Sequence, residues 1–593
     1  MTRLRYVALA GLVALLSLTV ALRLGAQTPQ QDSVRMKRVT DSIVRISTSA
    51  RVDRLAKEAA AIFNRIFGLI PAPVPPPPPP APPPAPPPPP PAPGTPELPR
   101  VYLNTAYVAP TGAVIRVPAS IGNLQGAIDA AGCSARILLA AGATYTGNYR
   151  LRNKGCTSYT DIATETALPA EGVRVSVATS ANYAHLRTPG GNVPTLMADA
   201  GAGFYRIMGV TIDAPSTVTA LGALVEFHTD PLTDVAQLAH DIILDRVVIQ
   251  GHDLLQLRRC ALLNALRVAV VDSYLTGCHA TGSDSQAILF WDTPGPIKVV
   301  NNYLEGAGEN LMIGGADPKL PGVVPADIEI RGNHFFKPLA WKASGAWTIK
   351  NLLELKIGKR VLIEGNVLEN IWPAGQTGFA IVIKSVNQSN TAPWSETSDV
   401  TISRNVIRNA AHGIDISAHP EPYPVIWGSR MAVTQNLLLL TGSSARGLML
   451  DGSTAGVTIA NNTVLGSTGH ALLLYGPKQV GTLAFHNNLV ETWIKSADGF
   501  DYGTPALNGH LASWTATGTL FVISYSNVIA LHPPGNFFAA ALGVVGFVDL
   551  VGGNYRLTSA SLFKGKGTDG KDPGVDIDAL AFATRGSVTG VWP

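Results

Sequence analysis

Two lysines define the chemistry this chain can attempt. Lys356 closes the run Leu352-Leu353-Glu354-Leu355 and Lys384 closes Ala380-Ile381-Val382-Ile383, 28 residues later. Alternation with period two makes each run a strand, and the matching place of each lysine predicts that both emerge on one outward face. If the two strands are neighbours, their backbones lie about 4.8 Å apart. Ammonium groups that close favour loss of one proton, which makes one lysine a candidate general base. A base beside a second cation suits abstraction of a carbon-bound proton next to a carboxylate. Glu354, two residues before Lys356, is placed to orient a lysine, to help hold a hard cation, or to serve as a plain surface ion-pair partner.

The scaffold that must position these groups is a repeat. A phrase of alternating apolar residues ending in Asn and a further apolar pair recurs at Asn302, Asn333, Asn366, Asn405, Asn436, Asn462 and Asn488. The separations are 31, 33, 39, 31, 26 and 26 residues, the range of a stacked-repeat architecture. Because the alternation is that of strands, the expected fold is all-β: a parallel β-helix of about ten rungs, running from residue 100 to 593. Asn tolerates the left-handed conformation, so one Asn per rung is expected at a sharp corner between two strands. The segment Asn123 to Ala131 reads as a short helix capping the first rung, and the stretch from Phe547 to Ile577 as a C-terminal cap.

Each Asn phrase is preceded by another strand, and its alternation assigns an outward set. That set is Glu226, His228, Arg258, Trp291, Glu354, Lys356, Lys384, Asp415, Asp451 and Tyr475, with Asp292 and Asp317 at strand ends. Arg258 falls three rungs from Lys356, roughly 14 Å away, and would serve a different part of an extended ligand. Any parallel sheet that meets water also needs some polar residues, so the set as a whole is equally a solvated face.

The segments before residue 100 belong to another regime. Residues 1–26 read as a secretory signal, with Arg3 and Arg5 ahead of an apolar run, or as an uncleaved anchor. Residues 27–70 read as a basic helical segment, a solvated spacer or self-association helix that is also able to associate with the envelope, and residues 71–99 as a proline-rich stalk. Its polyproline II core would extend about 70 Å at 3.1 Å per residue. Export permits disulfides, and sequence proximity favours Cys133 with Cys156 and Cys260 with Cys278 among the three connectivities four cysteines allow. A net charge of +4 over 593 residues, with 15% charged, excludes the basic field of a nucleic-acid binder. Nothing in the chain calls for an obligate protein partner.

The Leu124-Gln125 helix, the repeated Asn turns and the tail Tyr555-Arg556-Leu557 followed by DPGVDI resemble secreted bacterial proteins of the pectate-lyase-like superfamily. That resemblance covers roughly Arg100 to the C-terminus and implies a right-handed helix. It also implies that the sheet bearing the lysines forms a polysaccharide groove, where Lys or Arg acts as base on a uronate and Ca²⁺ or a second basic residue neutralises the carboxylate. On this reading Lys356, Lys384 and Glu354 are catalytic, while Arg258, Trp291, His228, Asp415 and Tyr475 bind sugar. Asp292, Asp317 and Glu354 are the candidate calcium ligands. A non-catalytic, adhesive carbohydrate-binding solenoid is the first alternative, which the stalk suits equally well. A glycoside hydrolase using Asp415 and Asp451 is the second, although His412-Gly413 only partly echoes a polygalacturonase-like phrase.

Overall fold

Residues 94–592 are described in the computed structural model, apart from 120–122, 228–231, 453, 477–480 and 500. The expected signal (1–26), the basic segment (27–70), the stalk up to residue 93 and His228 all lie outside the described residues. What is described belongs to one compact unit.

The chain winds through three long sheets in turn. Two have 14 strands, one has 12, and every pairing within them is parallel between strands of successive turns. This is a right-handed parallel β-helix. The number of turns exceeds the expected ten because the early strands, such as Thr160–Thr164 and Gly203–Met208, carry no Asn phrase and so leave no repeat to count. Leu, Ile and Val from all three sheets fill one continuous interior along the whole axis. At the N-terminal end the helix Leu124–Ala130 covers the first rung, and the Asn123 side chain caps it by accepting from Gly126 N at 2.7 Å.

The Asn residues form a ladder, but not as the left-handed corner itself. Asn302 donates from its backbone N (2.8 Å) and its Nδ2 (3.0 Å) to Oδ1 of Asn333. The same double bond repeats from Asn333 to Asn366, Asn405, Asn436, Asn462 and Asn488. All these side chains are fully buried. The left-handed residue is the one before each Asn: Asn301, Gly332, Gly365, Arg404, Gln435, Asn461 and Asn487 have φ between +52° and +66°. That bend turns the following Asn inward, where a side chain with both donor and acceptor can satisfy its neighbours.

Two extended segments run across the rungs. Residues 95–107 lie on the outer face of the sheet that contains Val114–Val117. Glu97 N donates to Asp399 (3.1 Å), Arg100 N to Asp327 (2.8 Å), Lys298 Nζ to Leu103 O (3.0 Å), and Tyr107 OH to Asp161 (2.8 Å). At the other end the antiparallel pair Phe547–Asp549 and Asn554–Leu557 closes the last turn, as a C-terminal cap should. The chain then returns along the Asn corner. Val575 N meets Thr463 and Asp576 N meets Gln435; the helix Ile577–Thr584 follows, and Arg174 finally donates to Ser587 O at 3.0 Å. Both disulfides favoured by sequence proximity, Cys133–Cys156 and Cys260–Cys278, are formed.

Candidate functional site

The two lysines lie on the outer face of the 12-stranded sheet. Leu355 pairs with Ile383, so Lys356 and Lys384 each follow a paired residue on adjacent strands, as their spacing predicted. One step earlier a straight outward column runs through Glu226, Leu262, Leu289, Met312, Glu354, Val382, Asp415, Met449 and Leu473. This column is recessed, contrary to the expected open face: Met312 is 2%, Glu354 1% and Asp415 7% exposed. On one side the loop at residues 388–391 is tied down by Asp317, and on the other Gln376 receives the amide of Asn351 at 2.8 Å.

Around the lysines the charges pair up. Lys356 Nζ lies 3.6 Å from Glu354. Gly314 makes room for it: its φ is +104°, and a Cβ there would come within 2.7 Å of Lys356 Cβ. In the next rungs Lys384 aligns with Ser417, whose hydroxyl donates to Asp415 Oδ1 at 2.6 Å. Burial pushes the Asp415 carboxyl up to about 7; Ser417 and Lys384 oppose the shift, and Asp451 and Glu354 add to it. Near neutral pH this group is therefore poised to give up a proton.

A second band of polar residues lies three positions upstream of the column, and alternation alone did not reveal it. Gln286 pairs with Glu309 across adjacent strands, and its Nε2 donates to Glu309 Oε2 at 2.7 Å. The pairing of Leu311 with Leu353 brings Asn351 alongside, and Asn351 Nδ2 lies 3.3 Å from Glu354 Oε2. Lys350 binds Asp284 at 2.5 Å and stays 3.9 Å from Glu309. Burial, followed by Glu354 and Asp284, raises the Glu309 carboxyl above its usual range. Behind it, the buried Lys337 fixes the preceding turn by donating to Ala307 O (2.9 Å), Gly308 O (3.0 Å) and Asn310 Oδ1 (3.0 Å). The band escaped a period-two reading because each strand begins with two consecutive inward residues. Ala287-Ile288, Leu352-Leu353 and Ala380-Ile381 all belong to the interior.

The other expected residues divide. Trp291 packs its ring on the outward cluster Leu262, Leu289 and Met312, at the head of the cleft. Tyr475 stands 47% exposed, aligned with Asp451. Arg258 is displaced: Glu226 pairs with Leu262, so Arg258 lies four residues upstream of the column, opposite Gly222 and away from the lysines. Leu257 faces the core, and so do Cys260, Ala261 and Leu263, so Arg258 turns outward as expected, but the phase of the strand changes just after it and leaves it away from the column. The expected calcium ligands do not converge either. Both Asp317 oxygens accept from Gln388, Ser389 and Thr391, while Asp292 accepts from Lys319 N and the Trp291 indole. Among the described residues no three His, Cys, Asp or Glu side chains gather to hold a metal.

No family model and no curated protein matches the chain. Solved structures do resemble it. An alginate lyase from Paenibacillus sp. str. FPU-7 aligns at 14% identity over 68% of this chain and 98% of its own, with a TM-score of 0.26. A mannuronic acid specific polysaccharide family 6 lyase from human gut microbiota aligns at 12% identity over 72% and 91%, with a TM-score of 0.40. A Family 28 exopolygalacturonase from Yersinia enterocolitica aligns at 11% over 69% and 78%, with a TM-score of 0.30. At these scores the sheets of this chain, not the likeness, carry the fold.

Proposed function

We propose that the recessed band binds a uronate-containing polysaccharide and cleaves it by β-elimination. The observation that carries this reading is the adjacency of two lysines and one half-protonated acid on neighbouring strands. Lys356, paired with Glu354, supplies fixed positive charge for the sugar carboxylate, which acidifies the proton on C5. Lys384 takes that proton as general base. A double bond forms between C4 and C5, the C4–O bond breaks, and Asp415 returns a proton to the departing oxygen. Trp291 and Tyr475 offer ring faces on which sugars can stack. Formation of both disulfides supports the expected export to an oxidising compartment.

Hydrolysis is the second reading, and one observation favours it. Glu354 and Asp415 are separated only by Val382 in the outward column, two rungs or about 9.6 Å at the backbone. That is near the upper end of the carboxyl spacing of inverting glycosidases, about 6.5–9.5 Å. Incubating the full chain with a panel of uronate polymers separates the readings. Elimination yields a product whose conjugated double bond absorbs ultraviolet light, whereas hydrolysis yields new reducing ends without absorbance. Polymer retention with neither product would leave the adhesive solenoid.

A further inference from the structure

The extended segment at residues 95–107 crosses its sheet as a strap with a steady pace. Gly94 O lies 3.9 Å from where a Cβ on Gly456 would stand, Glu97 N reaches Asp399, and Arg100 N reaches Asp327. Each step of three residues spans two rungs, because Gly358–Glu364 separates the strands of Asp327 and Asp399, and Ser429–Thr434 separates those of Asp399 and Gly456. Two rungs are about 9.6 Å, so the rise is about 3.2 Å per residue, close to the 3.1 Å of polyproline II. Pro96 and Pro99, one polyproline turn apart, are both buried. The sheet continues past Gly456 through two more strands, Thr482–His486 and Ser513–Thr517. Their outer face, with Gly94 and Thr95 at one end, forms a trough of about 330 Å³ whose lining includes Thr458, Thr482, Ala484, Ser513 and Thr515. We propose that this trough seats Pro91, Ala92 and Pro93 of the same chain, so that the strap reaches the last strand of the sheet.

Length and chemistry both fit this occupant. Three residues at the same pace cover the two remaining rungs, which carries Pro91 to the strand of Thr515. Where the strap offers backbone N–H groups, at Glu97, Arg100 and Tyr107, the side chains that receive them are carboxylates: Asp399, Asp327 and Glu171. Proline has no N–H and brings only a carbonyl acceptor. Among the described residues that line the trough none is acidic; Thr458, Thr482 and Ser513 instead present hydroxyl donors beside small apolar surface. The sheet therefore changes from acceptors to donors at the place where the chain changes to proline. Gly94 forms the junction, with a φ of +93° that departs from polyproline II and that Gly takes without a Cβ clash. Because proline fixes φ in advance, seating the segment loses little conformational entropy.

The test uses the full chain carrying paired cysteines, Ala92→Cys with Ala484→Cys, under mild oxidation. A disulfide within one chain is expected, whereas Ala92→Cys with Ala432→Cys, two rungs back in the same outward row, should stay reduced. Pro91→Cys with Thr515→Cys checks the register independently at the last strand, should the first pair impair folding. Free thiols in both designed pairs of a folded protein would overturn the proposal. So would equal cross-linking of residue 92 to positions 432 and 484, the mark of a segment that wanders, or a disulfide formed only between two chains, the mark of a second copy in the trough. As a further readout, replacing Pro91 and Pro93 by Asp should speed maleimide labelling of a lone Ala484→Cys by about tenfold, because a charge disfavours the seat and exposes the site. An unchanged rate would count against the seat just as firmly. None of these outcomes bears on elimination, whose residues lie on the 12-stranded sheet.

Discussion

The ammonium of Lys356 stands 3.6 Å from a Glu354 carboxylate whose side chain is only 2% exposed. A buried carboxylate needs a cationic partner, and this one has Lys356 on the side facing the cleft. The pair therefore fixes a positive charge where a polymer can reach it. The repulsion between lysines expected from spacing alone is replaced by alternation: Lys356 answers Glu354, and Lys384 faces Asp415.

This division of labour predicts unequal substitutions. Lys384→Ala and Lys356→Ala should each lower turnover by about 10²–10⁴-fold, the usual worth of a positioned proton-transfer or charge-stabilising group; the thermal midpoint should stay nearly unchanged in Lys384→Ala and fall in Lys356→Ala, which leaves the buried Glu354 carboxylate unpaired. Lys356→Arg should retain much of the activity because it keeps the charge. Lys384→Arg should not, since a guanidinium does not deprotonate at working pH. Steady-state rates of absorbance gain with matched melting curves check this; equal tolerance of Arg at both positions would reverse the roles or remove them.

Gly314 offers a test of position without touching a charged group. Gly314→Ala puts a methyl group within 2.7 Å of Lys356 Cβ, at a φ of +104°. The backbone strain costs about 1–3 kcal/mol and the contact pushes Lys356 off its site. Activity should fall at least tenfold beyond what the lost stability explains, measured at a temperature where the variant remains folded.

Asp415 predicts a pH dependence with a definite sign. Its folded pKa is raised to about 7, above the unfolded value of about 3.9, so the native state holds the extra proton in between. Stability contributed by that proton is complete below the unfolded value and is lost as pH rises toward 7. Urea unfolding from pH 4 to 8 should show this decline, and Asp415→Asn should flatten it. The same variant should lose the alkaline limb of the rate profile; an unaltered limb would exclude Asp415 as the acid.

The Asn ladder predicts a large local cost. Asn366 accepts from Asn333 N and Nδ2 and donates to Ile330 O and Asn405 Oδ1, all between 2.9 and 3.0 Å. Asn366→Ala leaves those buried partners unsatisfied and should destabilise the chain by about 3–5 kcal/mol. Asn366→Asp keeps the acceptor, loses the donor and buries a charge, so it should be no better. Denaturation midpoints decide this.

The repeat was legible because Asn recurs in a fixed phrase and apolar alternation is strict within that phrase. Adjacency of Lys356 and Lys384 followed from it directly. What alternation concealed was the start of each strand, where Leu352 and Leu353 both point inward and shift Asn351 to the outside. Arg258 was misplaced along its strand for a related reason: Leu257 and then Cys260, Ala261 and Leu263 all face the core, with Arg258 and Arg259 between them, and a strict alternation does not show that change of phase. The roles of Asp292 and Asp317 were illegible because the atoms they receive come from Lys319 and from a loop 71 to 74 residues away.

A stack of repeats can ordinarily fold from any rung outward, each unit answering only to its neighbours. The returning tail removes that freedom. Arg174, in an early turn, is completed by Ser587 and Val588, partners 413 and 414 residues later. Loop closure over such a distance must precede the contact, so the early rungs remain unfinished until the last residues arrive. During synthesis the chain is therefore a partly assembled spool with one raw edge, and trimming its final segment should loosen the beginning as well as the end.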